Sequence, residues 1–330
     1  MTEDLKHYLY VLFSKLSFEE RREIMAYLED MGSSSDITLQ DTIDEIREKR
    51  YSSGFFCPHC SGRKVVRFGC YRDHQRYLCR SCKKTFTDLT KTALHYIRHK
   101  EKFFYAVRLM LEGYSLTKTA ETVKVSIPTA FNWRHKILDS LRKLEDDGLY
   151  GIVEADGTFF LHSQKGSRNL DRPARKRGGK AKKRGISDDQ VCILVARDRN
   201  DNTISEIATF GRPSAEEIDK VLGGNLAPDS IFLTDKHPSF RRFAMQKGLQ
   251  YKSLNLSKGI RVVKGIYHIQ NVNSYHSRLK AWMKRFKGVA TKYLSNYLHW
   301  FEFIDSIGKE KIQKVAERDL LLRACSVKVV

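Results

Sequence analysis

The ten residues Gly151–Phe160, GIVEADGTFF, place an acidic pair inside an apolar run. The apolar members favour a β-strand, and strand alternation puts Glu154 and Asp156 on the same face. Carboxylates in such a strand are costly unless a cation accompanies them, and a metal ion is the usual companion. A second apolar run, SIFLTD, ends in Asp235. The sequence therefore predicts two strand-borne aspartates at one metal site, with Glu154 as an alternative further ligand.

A helix predicted over Tyr267–Phe286 supplies a third group. With about 100° of rotation per residue, its apolar positions form one side, and Asn273 and Lys280 share another. Oxygen ligands suit Mg²⁺, with Mn²⁺ as an alternative, and a pair of such ions can activate an attacking oxygen and stabilise a leaving one. The predicted catalytic set is Asp156, Asp235 and Asn273 around two Mg²⁺ ions, with Lys280 beside a phosphate. Structural aspartates and a surface asparagine are the alternative.

The charge of the chain is uneven. The 330 residues carry a formal net charge of +21, but residues 1–50 hold 7 Lys/Arg against 12 Asp/Glu, so the remainder carries +26. This excess favours a polyanionic partner, nucleic acid above all, although a generally basic surface is the alternative. No run of eighteen apolar residues and no signal-peptide pattern is present, so neither a membrane span nor a secretory leader is expected.

Two CxxC pairs mark a predicted zinc ribbon over residues 51–92. Cys57 and Cys60 form the first pair, and Cys79 and Cys82 form the second. Each pair can supply two thiolates to a tetrahedral Zn²⁺ site. The strand-like residues between them make only a small core, so metal binding would supply much of the folding free energy. A redox role for either pair is the alternative.

Residues 100–146 have the pattern of a helix-turn-helix. A break over Val125–Pro128 separates a short helix from a predicted recognition helix over Thr129–Leu144. A helical hairpin that binds nothing is the alternative. The predicted groove contacts are Asn132, Arg134, His135 and Lys136.

From residue 150 onwards, three strand patterns are followed by alternating helices and strands, the order expected of an RNase H-like domain over 150–306. A basic insertion at 163–187, with ten Lys/Arg and one Asp, interrupts it. We predict a disordered loop that becomes ordered on phosphates; a merely solvated loop is the alternative. The further predicted DNA contacts are Arg175, Lys176, Arg177, Lys180, Lys182, Lys183 and Arg184 in the insertion, and Lys284 on the later helix.

The predicted fold class is therefore α+β and multidomain. An acidic helical region at 1–50 precedes the zinc ribbon, the helix-turn-helix and the RNase H-like α/β catalytic domain. Within the acidic region, helices are predicted from Ser17 and over Thr38–Lys49. A helical tail is predicted at 307–330.

The chain resembles insertion-sequence transposases of the IS1595 (ISXO2-like) family over about residues 51–305. The resemblance rests on CPHC and CRSC, EADGTFF, KGSRNLDRPARKRGGKAKKRG, VARDRN, LTDKHPSF and the long block beginning YHIQNVNSYHSRLKAWMKRF. It implies an RNase H-like domain that cuts and joins DNA with two aspartates and a third Glu or Asn. Asn273 followed by Lys280 matches the branches that carry Asn. Gly157 departs from many relatives, which have Glu there.

We thus predict a DNA transposase that binds the terminal inverted repeats of its own element, cleaves them with Mg²⁺ and joins them to target DNA. Since both ends must be held together, we expect a homodimer or a larger synaptic complex, on the nucleoid in a bacterial cytoplasm. One alternative is a non-catalytic regulator that keeps the zinc ribbon and helix-turn-helix. The other is an RNase H-like nuclease specific for DNA structure.

Overall fold

The computed structural model describes residues 17, 39–71, 74–141, 148–174, 179, 181, 183–254, 259, 262–307 and 313–326. They form two compact units. The first unit contains the described residues up to Glu112 together with the C-terminal helix, and the second extends from Gly113 to Ile307. Apart from Ser17 itself, the helix predicted from Ser17 lies outside the described residues. No helix in the described part of the chain is long and apolar enough to cross a bilayer.

The first unit combines a small antiparallel sheet, in the order β1-β2-β3, with three helices. The C-terminal helix packs on the other two, and the Arg318 guanidinium donates two hydrogen bonds to Glu45, at 2.8 and 2.7 Å. The strand-like residues between the cysteine pairs and the helical tail are confirmed as secondary structure. The elements are α1 (Leu39–Arg50), β1 (Val65–Tyr71), β2 (His74–Cys79), β3 (Thr85–Phe86), α2 (Lys100–Leu111) and α9 (Gln313–Ser326).

The second unit begins with two helices joined by a short turn, α3 (Leu116–Val123) and α4 (Ile127–Leu141). Lys124 makes the turn in the left-handed region, with φ 55°. Helix α4 starts two residues earlier than predicted, because Pro128 is accommodated in the first turn, where its missing N–H costs nothing. Helix α4 packs on α3 and on the later helix α8 (Leu294–Ile307).

A five-stranded sheet forms the centre of the second unit, in the order β6-β5-β4-β7-β8. Strand β5 pairs antiparallel with both β4 and β6, whereas β7 pairs parallel with β4 and β8 pairs parallel with β7. Helices α5 and α6 pack on one face and α7 packs on the other, so the predicted alternation of strands and helices is confirmed. The bounds are β4 (Ile152–Leu161), β5 (Gln190–Arg197), β6 (Thr203–Phe210), α5 (Ala215–Leu222), β7 (Ile231–Asp235), α6 (Pro238–Lys247), β8 (Gln250–Leu254) and α7 (Gln270–Lys284).

Helices α7 and α8 are held together by ion pairs and aromatic rings. Asp305 accepts from Arg278 at 2.7 Å and from Arg197 at 2.8 Å, which ties both helices to β5. The ring of Trp282 contacts that of Trp300 with centroids 5.0 Å apart. This packing fixes α7 against the sheet, and α7 carries the polar residues predicted for the catalytic set.

Candidate catalytic and metal sites

The two predicted catalytic aspartates lie side by side on neighbouring strands. Strands β4 and β7 pair in parallel register up to Ala155 and Thr234, and Asp156 and Asp235 are the next residues along each strand. Adjacent strands are about 4.8 Å apart, and residues in parallel register point to the same face. The fold therefore brings together two carboxylates that are distant in sequence.

Helix α7 lies over Asp156. The Nδ1 atom of His276 is 3.9 Å from Asp156 Oδ2, and the charge of Lys280 acts on the same carboxyl group. Asn273 and Lys280 are exposed, one turn before and one turn after His276. The helix thus presents an amide, an imidazole and an amine along one side.

Burial and like charge control the electrostatics of this site. The pKa of Asp156 is raised to about 6, first by burial and then by the Asp235 charge, against the opposing effects of the Gly157 N–H and Lys280. Burial also lowers the pKa of His276 to about 4, helped by Lys280. His276 is therefore neutral at pH 7, and its approach to Asp156 is a polar contact without an ion pair.

A divalent cation fits the donors present. Asp235 Oδ1 is buried without a hydrogen-bond partner, and Asp156 lies in surroundings that disfavour its charge. Both features are expected of oxygen ligands that hold a divalent cation. In the described part of the chain, only the cysteine cluster discussed below brings three or more His, Cys, Asp or Glu ligand atoms within 4.8 Å of one another.

Glu154 anchors the start of α7 and is not placed as a metal ligand. Its fully buried carboxylate accepts the backbone N–H groups of Asn271 and Val272, at 2.9 and 3.1 Å, in the first turn of that helix. Arg199 pairs with it at 2.6 Å, and His268 Nδ1 lies 3.3 Å away. The alternative of Glu154 as a further ligand is corrected, because helix N–H groups and Arg199 already occupy its oxygens.

Comparison with known proteins assigns most of the second unit to a family. Residues 148–304 match the ISXO2-like transposase domain family. This segment is an ISXO2-like transposase domain. A relative described as an uncharacterized protein in transposable element ISH50 of Halobacterium salinarum is 27% identical over 279 residues, which cover 82% of this chain and 93% of the relative.

Solved structures similar to the chain include two complexes of Mos1. A pre-cleavage Mos1 transpososome has a TM-score of 0.23 and 13% identity, covering 62% of this chain and 79% of that one. The Mos1 mariner paired end complex with Mn has a TM-score of 0.24 and 15% identity, covering 63% and 80%. At these TM-scores the superposed backbones agree only loosely.

The raised pKa of Asp156 predicts a stability effect in the transposase domain. The folded carboxyl, with a pKa of about 6, holds its proton more tightly than the unfolded one at 3.8. Stability is therefore lost as pH rises between these values. The shift corresponds to at most about 3 kcal/mol, and solvent at the quarter-exposed side chain reduces it. Asp156→Asn should stabilise the magnesium-free protein by about 1–2 kcal/mol at pH 7.5 and by almost nothing at pH 4.

Urea unfolding at both pH values, in magnesium-free buffer that leaves zinc in place, measures this difference. The exposed Asp229→Asn is the matched control and should change little. Equal effects of the two substitutions at pH 7.5 would show that the Asp156 carboxylate bears no electrostatic cost.

The anchoring role of Glu154 predicts a second stability effect, of opposite sign. Burial raises the pKa of Glu154 against the opposing effects of the helix N–H groups and Arg199, so its charge carries a desolvation cost. Glu154→Gln removes that cost but leaves the Arg199 guanidinium without its anionic partner and one helix N–H group facing an amide, so the free energy of unfolding should fall by about 2 kcal/mol. The exposed Glu121→Gln, also in the second unit, is the control. A urea midpoint for Glu154→Gln equal to that of the control would contradict the anchor.

In the first unit, the four cysteines converge as predicted. Their ligand atoms all lie within 4.8 Å of one another, with Sγ separations of 3.7 Å for Cys57–Cys82 and 3.6 Å for Cys60–Cys79. A tetrahedral Zn²⁺ with bonds of about 2.3 Å places its sulfurs about 3.8 Å apart, so the cluster fits a structural zinc ion. The exposed Cys70 is not a member of this set.

The two cysteine knuckles have the same backbone geometry. Ser61 and Lys83, each four residues after the first cysteine of a pair, adopt φ 60°. Their N–H groups donate to the carbonyl oxygens of Cys57 and Cys79, at 2.8 and 2.9 Å. Backbone N–H groups, first that of Cys82, lower the pKa of Cys79 to about 6, whereas burial raises that of Cys57 to about 12. The evidence for a zinc site is therefore the convergence of the four sulfurs and the matching knuckle geometry.

The structure corrects two of the four predicted groove contacts on α4. Arg134 is buried, donates to the Tyr114 carbonyl oxygen at 2.8 Å and lies 5.4 Å from the Trp300 ring centroid. His135 packs against Tyr293, and burial lowers its pKa to about 4. Both point inward because α4 packs on α3 and on α8. Asn132 is exposed and Lys136 is half-buried, so these two remain predicted contacts.

The basic insertion is described only in part. Arg175, Lys176, Arg177, Lys180 and Lys182 lie outside the described residues. Within them, Lys183 and Arg184 are exposed, as is Lys284 on α7. These seven insertion residues and Lys284 stay predicted DNA contacts.

Gly157 lies on the face of β4 opposite the aspartates. A Cβ atom there would come within 3.2 Å of Cys192 Sγ and then of the Phe159 ring. A larger residue would need Cys192 to move, but it would not enter the carboxylate site. The difference from relatives at Gly157 therefore affects side-chain packing on the face of the sheet opposite the aspartates.

Sequence reasoning missed three residues of the transposase domain. His276, Arg199 and His268 were given no role from the sequence. Arg199 lies in the quoted VARDRN segment. The available signal was an acidic residue inside an apolar strand, Glu154, which needs a cationic partner such as an arginine. Its partners only become visible in the folded domain, where Arg199 also donates to the Ile266 carbonyl oxygen at 2.9 Å.

Proposed function

We propose that the protein is a transposase that binds the terminal inverted repeats of its own element, cleaves the DNA with Mg²⁺ and joins the ends to target DNA. The observation that carries the proposal is the side-by-side register of Asp156 and Asp235 beneath α7, in a domain of the ISXO2-like transposase family. The sheet order, with three antiparallel strands followed by two parallel ones, supports an RNase H-like catalytic domain.

Asp156, Asp235 and the amide of Asn273 are the groups proposed to hold Mg²⁺. When bound, two such ions would supply charge stabilisation at the reacting phosphate and at the attacking and leaving oxygens. The protein's own residues orient the site: Glu154 fixes the start of α7, and the neutral His276 packs beside Asp156. Lys280 is proposed to bind a nonbridging phosphate oxygen.

The reaction needs no energy-yielding cofactor. In cleavage, the oxygen of water bonds to phosphorus while the P–O3′ bond breaks, and the 3′-oxygen leaves with a proton. In joining, that 3′-hydroxyl attacks a phosphodiester of target DNA, and one phosphoester bond replaces another. The same carboxylate site serves both steps, because each is an in-line displacement at phosphorus.

The parts outside this site are proposed to bind DNA. The four-cysteine ribbon and the α3–α4 pair would contact the repeats, with Asn132 and Lys136 as the remaining candidates on α4. The basic insertion and Lys284 would bind phosphates, so affinity should depend strongly on salt. Two ends must be held together, which favours a homodimer or a larger complex.

Incubation of the protein with DNA ends of its own element and Mg²⁺ tests the proposal. Nicks at the element boundary and joined products are expected. Specific binding without nicks would instead indicate a DNA-binding regulator. Cutting of branched DNA without regard to terminal sequence, and without joining, would indicate a structure-specific nuclease.

A further inference from the structure

A cavity of about 750 Å³ adjoins the carboxylate site in the second unit. It lies between the end of β4, the start of the basic insertion and the C-terminal half of α7. Lys280 lines it, and the charge of Lys280 also acts on Asp156, so the cavity and the carboxylates share a boundary residue. Its volume is typical of sites that enclose a ligand of drug-like size.

The lining combines apolar side chains with cations. Phe160, Leu161 and Met283 contribute apolar surface, and Lys284 and Lys287 join Lys280 as positive groups. The described residues that line the cavity include no carboxylate. Such a lining suits a ligand with a flat apolar body and negative charge attached to it.

Hydrogen bonds hold the walls in place. The Lys165 amine donates to carbonyl oxygens just after α7, at 2.8 Å for that of Gly288. Ser163 and Thr291 exchange two hydrogen bonds, at 2.8 and 2.9 Å. The start of the insertion is therefore tied to the end of α7, so the cavity is built before any ligand arrives.

We propose that this cavity receives one nucleotide of the DNA end, turned out of the duplex beside the scissile phosphate; this rests on the proposed function. The apolar lining matches the face of a base and not a phosphate backbone, and Phe160 offers a ring for stacking, worth about 1–3 kcal/mol per base. That gain offsets the few kcal/mol needed to unstack a nucleotide. The lysines match the phosphates on either side of it.

A 2-aminopurine scan of the DNA end tests this directly. The fluorescent base replaces each position around the scissile phosphate in turn, and wild-type protein is added in magnesium-free buffer. Fluorescence should rise at least about threefold at one position, because that base leaves the stack. No rise at any position, with nicking intact once Mg²⁺ is added, would overturn the cavity proposal and leave the proposed function standing. Absence of both binding and nicking would remove the proposed function and the cavity proposal with it.

A pocket-filling variant gives a second readout. Leu161→Trp should slow nicking about tenfold, and DNA that lacks the turned-out base should restore the rate, since no base then needs the space. Met245→Trp, on the exposed surface of α6 away from the cavity, is the control and should nick normally. A Leu161→Trp defect that persists on the abasic DNA would contradict the proposal. The wild-type fluorescence scan decides the question if this variant does not fold.

Discussion

Asp156→Ala and Asp235→Ala are each expected to lower the rate of end cleavage by at least about 10³-fold. Metal-assisted stabilisation of a phosphoryl-transfer transition state is worth several kcal/mol, and each 1.36 kcal/mol is tenfold in rate. Because the two carboxylates are proposed to act as a unit, the double variant should lose little more than either single one. End binding should stay within about threefold of wild type, because the phosphate contacts proposed for other parts of the chain should supply most of the binding free energy.

Single-turnover nicking rates and equilibrium binding, measured on the same DNA end, separate these effects. Asp229→Ala, an exposed aspartate in the loop before β7, is the matched control and should cleave normally. A parallel loss of binding and cleavage in the Asp156 and Asp235 variants would mean that the aspartates are structural. Cleavage within tenfold of wild type would place the reaction elsewhere.

Cys79→Ser is expected to unfold the ribbon around the cysteine cluster. Structural zinc in small domains contributes roughly 10–16 kcal/mol at neutral pH, far more than the small core of Tyr77, Phe86 and their neighbours can replace. Bound zinc should fall to a small fraction of one ion per chain. Amide hydrogen exchange in residues 55–90 should become fast, while β4 to β8 in the other unit stay protected.

Cys70→Ser provides the control, because Cys70 is exposed and does not belong to the cluster. Its zinc content and exchange rates should match those of wild type. Specific end binding is measured in parallel on both variants. If Cys79→Ser keeps its zinc, the four-cysteine site is wrong; if it loses zinc but binds ends as tightly as wild type, the ribbon takes no part in recognition.

The stability predictions for Asp156→Asn and Glu154→Gln have opposite signs although both remove one buried negative charge from the same strand. Burial and the charge of Asp235 both disfavour the Asp156 carboxylate, so its charge is costly. Burial raises the pKa of Glu154 as well, but Glu154 faces Arg199 and two helix N–H groups that would lose their charged acceptor. The contrast separates a functional carboxylate from a structural one without any activity assay.

Secondary structure was predictable where the local pattern is strong. Helix α7 was expected over Tyr267–Phe286 and extends over Gln270–Lys284, because its apolar repeat is long and regular. Predicted helix boundaries were wrong where a single residue decides them. At the start of α4, a proline was interpreted as part of the turn, although it lies in the first turn of the helix.

The sequence by itself determined the cysteine cluster, the order of strands and helices, and the placing of Asp156 and Asp235 at comparable points of two strands. These features follow from spacing and periodicity, which act over a few residues at a time. Only the tertiary structure decided that Glu154 anchors a helix, that Arg134 points inward and that His276 lies beside Asp156. Each depends on which distant segment packs against that residue, and no local pattern encodes the partner.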